Sequence, residues 1–287
     1  MTFYDVPLRV ETNPQENATD LLLSRVAKNP KHGLFSRKNP DGTWRDVTSE
    51  DYLAEVQTLA KGLIAAGIKP GDAVALMSRT RYEWTLLDFA IWFAGGVVVP
   101  IYETSSPNQI EWILSDSDSV ALFCENDDHL ERFNKIKANV KKVSKVWRID
   151  SKEFSDLFVA GETVSDADLE TARKHAEGPD LATIVYTSGT TGNPKGCERT
   201  HSSFVDHCKN AAAEVPELCN EFQKSLIFVP LAHIFGRYVA ALCIYSGVKV
   251  GHLGDTKLVA AELPGYKPTF LLAVPRVFEK VYNNAEL

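Results

Sequence analysis

Residues 186–196 read Tyr-Thr-Ser-Gly-Thr-Thr-Gly-Asn-Pro-Lys-Gly and place five hydroxyl side chains, three glycines and one lysine within eleven positions. Glycine lets backbone N–H groups come close to an anion, hydroxyls donate further hydrogen bonds, and lysine adds a mobile positive charge. That combination suits a polyphosphate. The apolar run Leu181–Val185 precedes it and reads as a strand. The spacing is not that of a Walker A loop, which needs Gly-x4-Gly-Lys-Ser/Thr. Here the fifth residue after Gly189 is Pro194, and Gly196 follows Lys195. A polar surface turn is the plain alternative. The Pro-Lys-Gly ending and the strand in front favour an anion-binding loop.

A second chemical stretch is Phe228–Arg237, Phe-Val-Pro-Leu-Ala-His-Ile-Phe-Gly-Arg. By chemistry alone His233 reads as a packed or capping histidine as readily as a catalytic one, and Arg237 as the partner of a carboxylate. His201 and the His207-Cys208 pair have a spacing that fits no common metal-binding pair on one helix face. His32, His129, His175 and His252 are scattered and carry no assignment.

The elements that must position these residues alternate. Thr48 reads as an N-cap with Asp51 at the capping-box position, and apolar residues from Leu53 to Ile64 recur at helical spacing. Strands are expected at Ala73–Met77, Val97–Ile101, Val120–Cys124, Val146–Ile149, Leu181–Tyr186, Leu226–Val229, Val248–Gly251 and Phe270–Ala273. Helices are expected at Tyr82–Ala94, from Ser106-Pro107 to Leu114, at Asp128–Ala138, His201–Glu214, Tyr238–Tyr245 and Pro275–Asn283. Ser151–Pro179 is polar and acidic and reads as an exposed helix and connection. The alternation predicts an α/β fold of layered, mostly parallel sheets with flanking helices. Ligands in such folds sit beyond the carboxyl ends of strands, where the 186–196 loop lies.

The chain has 287 residues, 44% hydrophobic and 24% charged, in the range of globular proteins. A net charge of −7 argues against nucleic acid as a partner. Five cysteines without a Cys-x-x-Cys pair or a signal peptide suggest reduced thiols and a cytoplasmic setting. No apolar run approaches a membrane span. The lysines at 135, 137, 141 and 142 read as a solvated face, with membrane-surface or CoA-phosphate contact as the alternative.

The Ser-Gly-Thr-Thr-Gly-x-Pro-Lys-Gly spacing resembles the phosphate loop of the adenylate-forming (AMP-binding) superfamily. Two other stretches, Val99–Pro107 and Ala273–Tyr282, resemble segments of its long-chain fatty-acid–CoA ligases, as does Pro230-Leu231-Ala232-His233. The resemblance covers roughly residues 20–287. It implies activation of a fatty acid by ATP through an acyl-adenylate and transfer to CoA, with Mg²⁺ required. Carried over by position, Thr187, Ser188, Gly189, Thr190, Thr191, Gly192, Lys195 and Gly196 would cradle the phosphates. Thr187 would also help hold Mg²⁺, and His233 would line the substrate site, with Lys195 acting in catalysis. Val99–Pro107 and Ala273–Tyr282 are expected to pack rather than to act.

In relatives, adenine-binding, ribose-binding and lid segments follow the position of Leu287. The resemblance therefore presents this chain as the N-terminal portion of an AMP-binding domain. It divides into a first α/β subdomain at about 65–225 and an incomplete second one made of 15–64 with 226–287, with the C-terminal lid domain absent. The chain alone is expected to form no acyl-adenylate, and a complementing C-terminal polypeptide is a conceivable partner. Three alternatives stay open: a non-catalytic remnant, a phosphate-binding module, or a ligase for aryl carboxylates.

Overall fold

The computed structural model describes residues 7–11, 13–39, 41–187, 192–273 and 275. In chain order the elements are α1 (Thr19–Lys28), β1 (Gly33–Lys38), β2 (Trp44–Thr48), α2 (Ser49–Ala65), β3 (Ala73–Met77), α3 (Tyr82–Phe93), β4 (Val97–Ile101), α4 (Pro107–Asp116) and β5 (Ala121–Cys124). Then come α5 (Asp127–Asn134), β6 (Lys145–Arg148), α6 (Lys152–Gly161), α7 (Asp166–Arg173), β7 (Leu181–Thr187), β8 (Lys195–Thr200) and α8 (His201–Glu214). The last are β9 (Lys224–Ile227), α9 (Ile234–Ser246), β10 (Lys249–His252) and, after a short 3-10 turn, α10 (Val259–Tyr266).

Two sheets result. The larger has the order β6-β5-β3-β4-β7-β8, parallel throughout except for the last pair. The smaller has the order β2-β1-β10-β9, parallel except for β1–β2. Alternate side chains of a strand point to opposite faces. In β3, Val74 and Leu76 enter the core shared with the smaller sheet, while Ala73, Ala75 and Met77 enter a second core beneath α4 and α5. Helix α3 lies between the sheets. Every residue from Trp84 to Phe93 is buried there, which explains why its sequence is apolar nearly all round.

Local chemistry sets the helix starts. The Thr48 hydroxyl accepts from the Asp51 amide at the head of α2. Ser106 and Gln109 form a reciprocal capping box on α4, with Pro107 in the first turn.

Three sequence expectations change. Ser151–Pro179 is not an exposed connection: it forms α6 and α7, and Phe154, Leu157, Leu169 and Ala172 are buried in the shared core or at its margin. Their apolar positions are separated by charges at helical spacing, which hides the buried face in a polar average. Phe270–Ala273 is not a strand. Only Phe270 bridges, to Ser225, while these side chains pack on the core as partly buried residues. The loop after β7 leads first into the antiparallel strand β8 and only then into α8. The expected helix Pro275–Asn283 lies outside the described residues apart from Pro275.

His201, the first residue of α8, is buried, and its Nδ1 accepts from the Ala18 amide at 3.2 Å. Burial holds its pKa down at about 4, below the usual 6.5. The neutral ring therefore stabilises the fold fully above about pH 6.5. That contribution is lost as pH falls from there through about 4, by up to ~1.4 kcal/mol per pH unit. Denaturant unfolding across this window should show the slope. His201→Asn, which keeps an acceptor for Ala18, should flatten it; an unchanged slope would contradict this assignment.

Candidate active site

Strands β4 and β7 are neighbours, so the segments leaving their carboxyl ends face each other. The segment after β9, which belongs to the other sheet, arrives opposite them. Between these three lies a cavity of about 300 Å³. This is at the lower end of small-ligand sites. One wall is Pro100, Tyr102 and Ser105 after β4, with Gln109 and Ile113 from α4. A second is Val185, Tyr186 and Thr187, with Pro194 across the loop. His233 and Ile234 complete it. Among the described residues the lining contains four hydroxyls and an imidazole but no carboxylate, lysine or arginine.

The loop is closed at its base as a hairpin. Tyr186 pairs with Gly196 and Thr187 with Lys195 in antiparallel register. Directly opposite residues share a face, so the Thr187 hydroxyl and the Lys195 side chain stand side by side at the loop mouth. Lys195 is exposed and makes no ion pair among the described residues. A Cβ on Gly196 would lie 2.9 Å from Ile184 Cγ2 and 3.2 Å from the Tyr186 ring, so the position requires glycine for close approach. Gly192 has φ +99°, a conformation that L side chains rarely adopt. Ser188, Gly189, Thr190 and Thr191 lie outside the described residues.

Tyr186 donates from its hydroxyl to Asp116 at 2.6 Å. Burial first, and then this carboxylate, push its pKa upward, so the phenol stays protonated as a donor. His233 is the N-cap of α9: its Nδ1 accepts from the Phe235 amide at 3.2 Å. In the neutral ring the proton is then on Nε2. The residue is exposed at the cavity edge.

Arg237, one turn into α9, does not reach the cavity. It is buried, with Nε 3.1 Å and Nη2 2.5 Å from the two Asp88 oxygens. Its Nη1 donates to Thr183 at 2.5 Å. This is the carboxylate pairing expected for Arg237. His207 lies beside the Tyr238 ring, 4.6 Å between centroids. No group of three or more His, Cys, Asp or Glu side chains able to hold a metal occurs among the described residues. For a magnesium ion the loop offers, among the described residues, the exposed Thr187 hydroxyl as an oxygen donor. This suits a cation that keeps water and phosphate oxygens as its other ligands.

Sequence reasoning brought Thr187, Lys195 and His233 forward, and the fold places Thr187 and His233 on one cavity. Tyr102 and Ser105 were not singled out because Val99–Pro107 reads as packing, and Gln109 because it falls in the first turn of the expected helix. The signal was present: a polar stretch at the carboxyl end of a buried parallel strand is a ligand-facing position in this fold class.

Residues 23–287 match the family model described as AMP-binding enzyme. The chain is 39% identical over 284 residues to the long-chain-fatty-acid–CoA ligase FadD15 of Mycobacterium bovis, covering 98% of this chain and 47% of that protein. It is 28% identical to long chain acyl-CoA synthetase 3 of Arabidopsis thaliana, covering 94% of this chain and 44% of that one. The chain thus spans about half the length of the curated relatives it matches. Among solved structures, the long-chain-fatty-acid-CoA ligase FadD1 of Archaeoglobus fulgidus superposes with a TM-score of 0.81 at 20% identity, over 99% of this chain and 56% of that one. The N-terminal domain of FACL13 from Mycobacterium tuberculosis gives 0.78 at 22% identity, over 92% of this chain and 64% of that one. These two likenesses show the α/β layered fold.

The cap assignment of His233 can be tested separately from any chemistry. His233→Asn retains an acceptor for the α9 amide and should leave the unfolding free energy within about 0.5 kcal/mol, whereas His233→Ala should lower it by about 0.5–2 kcal/mol. Equal loss in both variants would show that the ring packs rather than caps.

Proposed function

Because this chain belongs to the AMP-binding enzyme family, we propose that it supplies the polyphosphate-gripping part of a ligase that activates a fatty acid with ATP for transfer to CoA. The observation that carries the reading is the hairpin pairing of Thr187 with Lys195 at the mouth of a glycine- and hydroxyl-rich loop, beside a cavity whose described lining residues include no carboxylate. A carboxylate is a poor electrophile, and attaching AMP converts one of its oxygens into a leaving group. The step is limited by charge accumulating on the phosphates. In this reading Lys195 neutralises it, and the motif residues Ser188, Gly189, Thr190, Thr191 and Gly192 orient the β- and γ-phosphates through their amides and hydroxyls. Magnesium, carried with the nucleotide and touching Thr187, would add positive charge to the same oxygens.

The cavity supplies the other half of the reading. Pro100, Ile113, Val185 and Ile234 offer apolar walls for an acyl group, and Tyr102, Ser105 and His233 offer polar contacts at its carboxyl end. The similarity to long-chain ligases supports a fatty rather than an aryl acid. No helix among the described residues is long and apolar enough to cross a membrane. Contact with a membrane surface, through which a fatty acid could arrive, is part of the proposal only as a route for substrate.

Lys195→Ala should weaken MgATP binding by tenfold or more, on the ~1.5–3 kcal/mol worth of a hydrogen bond to a charged group. Calorimetric titration of the purified chain measures this directly. Unchanged affinity in the variant would remove Lys195 from the site.

A further inference from the structure

We propose that Trp112 is a positioning residue that sets the direction of Lys195 by holding the peptide unit from which it springs. This rests on the reading of the 187–195 loop as a polyphosphate site. Its basis is a bond that the loop motif does not contain: Trp112 Nε1–H donates to the Pro194 carbonyl at 2.8 Å. A peptide unit is planar, so fixing the Pro194 carbonyl also fixes the orientation of the Lys195 amide and the start of its side chain.

Two features make this bond matter. Strand β8 is an edge strand, exposed at every position from Lys195 to Arg199, with β7 as its sheet neighbour. Apart from a long 3.9 Å contact between the Cys197 thiol and Thr187, the Trp112 bond is the only side-chain hydrogen bond to residues 192–199 among the described residues.

The donor, in turn, stands on a rigid base. Helix α4 is fixed at its start by the Ser106–Gln109 capping box and along its length by buried Ile110, Ile113 and Leu114. One turn after Trp112, on the same face, Asp116 accepts from Tyr186 at the other limb of the hairpin. A single helix turn therefore anchors both limbs of the loop, Tyr186 before it and Pro194 at its end. Trp112 touches no reacting atom in this arrangement; it acts through Lys195.

Trp112→Phe keeps the ring and removes the donor, and it is read in two ways in the purified chain. MgATP affinity should fall roughly three- to tenfold, the range of one hydrogen bond, with the thermal midpoint shifted by no more than about 3 °C. Amide hydrogen exchange should quicken at residues 195–199 and stay unchanged in α4 and the parallel strands. Tyr186→Phe releases the other limb and should show the same local pattern on its own side. Unchanged exchange and affinity in Trp112→Phe would overturn the proposal, and so would faster exchange throughout the fold, which would mark a general packing loss. If the unsubstituted chain binds no MgATP, the polyphosphate reading fails, and the exchange pattern alone decides whether the anchor exists.

Discussion

A guanidinium held in an apolar layer is costly unless its charge and donors are met, and around Arg237 three elements are arranged to meet them. Arg237 of α9 forms a two-pronged pair with Asp88 of α3 and donates to Thr183 of β7. The Thr183 hydroxyl donates in turn to the Val98 carbonyl of β4. The rings of Trp84, Trp92 and Phe204 lie 5.3–5.6 Å from the guanidinium carbon and exclude water. Burial pushes the Asp88 carboxyl above its ordinary value, and the cation beside it offsets only part of that push. Neither charge is stable there without the other.

The position of the candidate site follows from this pair. Helix α9 carries His233 at its cap, and β7 ends at Thr187, where the glycine- and hydroxyl-rich loop begins. Tying α9 to β7 through Arg237 and Thr183 fixes the distance across which those two ends face each other. The link to Val98 aligns β4 with β7, so Tyr102 and Ser105 reach the same cavity. A contact between layers, away from the cavity lining, thus sets the geometry of the candidate site. The loop itself contributes local shape through Gly192, Gly196 and the hairpin register.

Much of this could be read from the residues. Val97–Ile101, Ala73–Met77 and His201–Glu214 were legible because apolar runs, turn residues and caps agree there. The 186–196 loop stood out because its glycine, hydroxyl and lysine content is an unusual local composition, and the family match over residues 23–287 includes it. Other parts depend on long-range contact. The strands Gly33–Lys38 and Trp44–Thr48 carry Arg37, Lys38, Arg45 and Asp46 on an edge hairpin, so no clean alternation marks them. Strand β8 has no buried position at all, and only its pairing with β7 makes it a strand. The role of Arg237 could be anticipated as a carboxylate partner, but Asp88 lies 149 positions away and is surrounded by apolar residues that draw attention elsewhere. The Tyr102, Ser105 and Gln109 wall of the cavity was hidden in part because Gln109 also serves the α4 capping box.

The most direct test of this dependence is a double-mutant cycle on Arg237→Met and Asp88→Leu, followed by denaturant unfolding. Each single substitution leaves one buried charge without its partner and should cost about 3–5 kcal/mol, while the double variant, with apolar groups in both places, should be more stable than either single one. If the two costs simply add, the pair is not the joint on which the site depends.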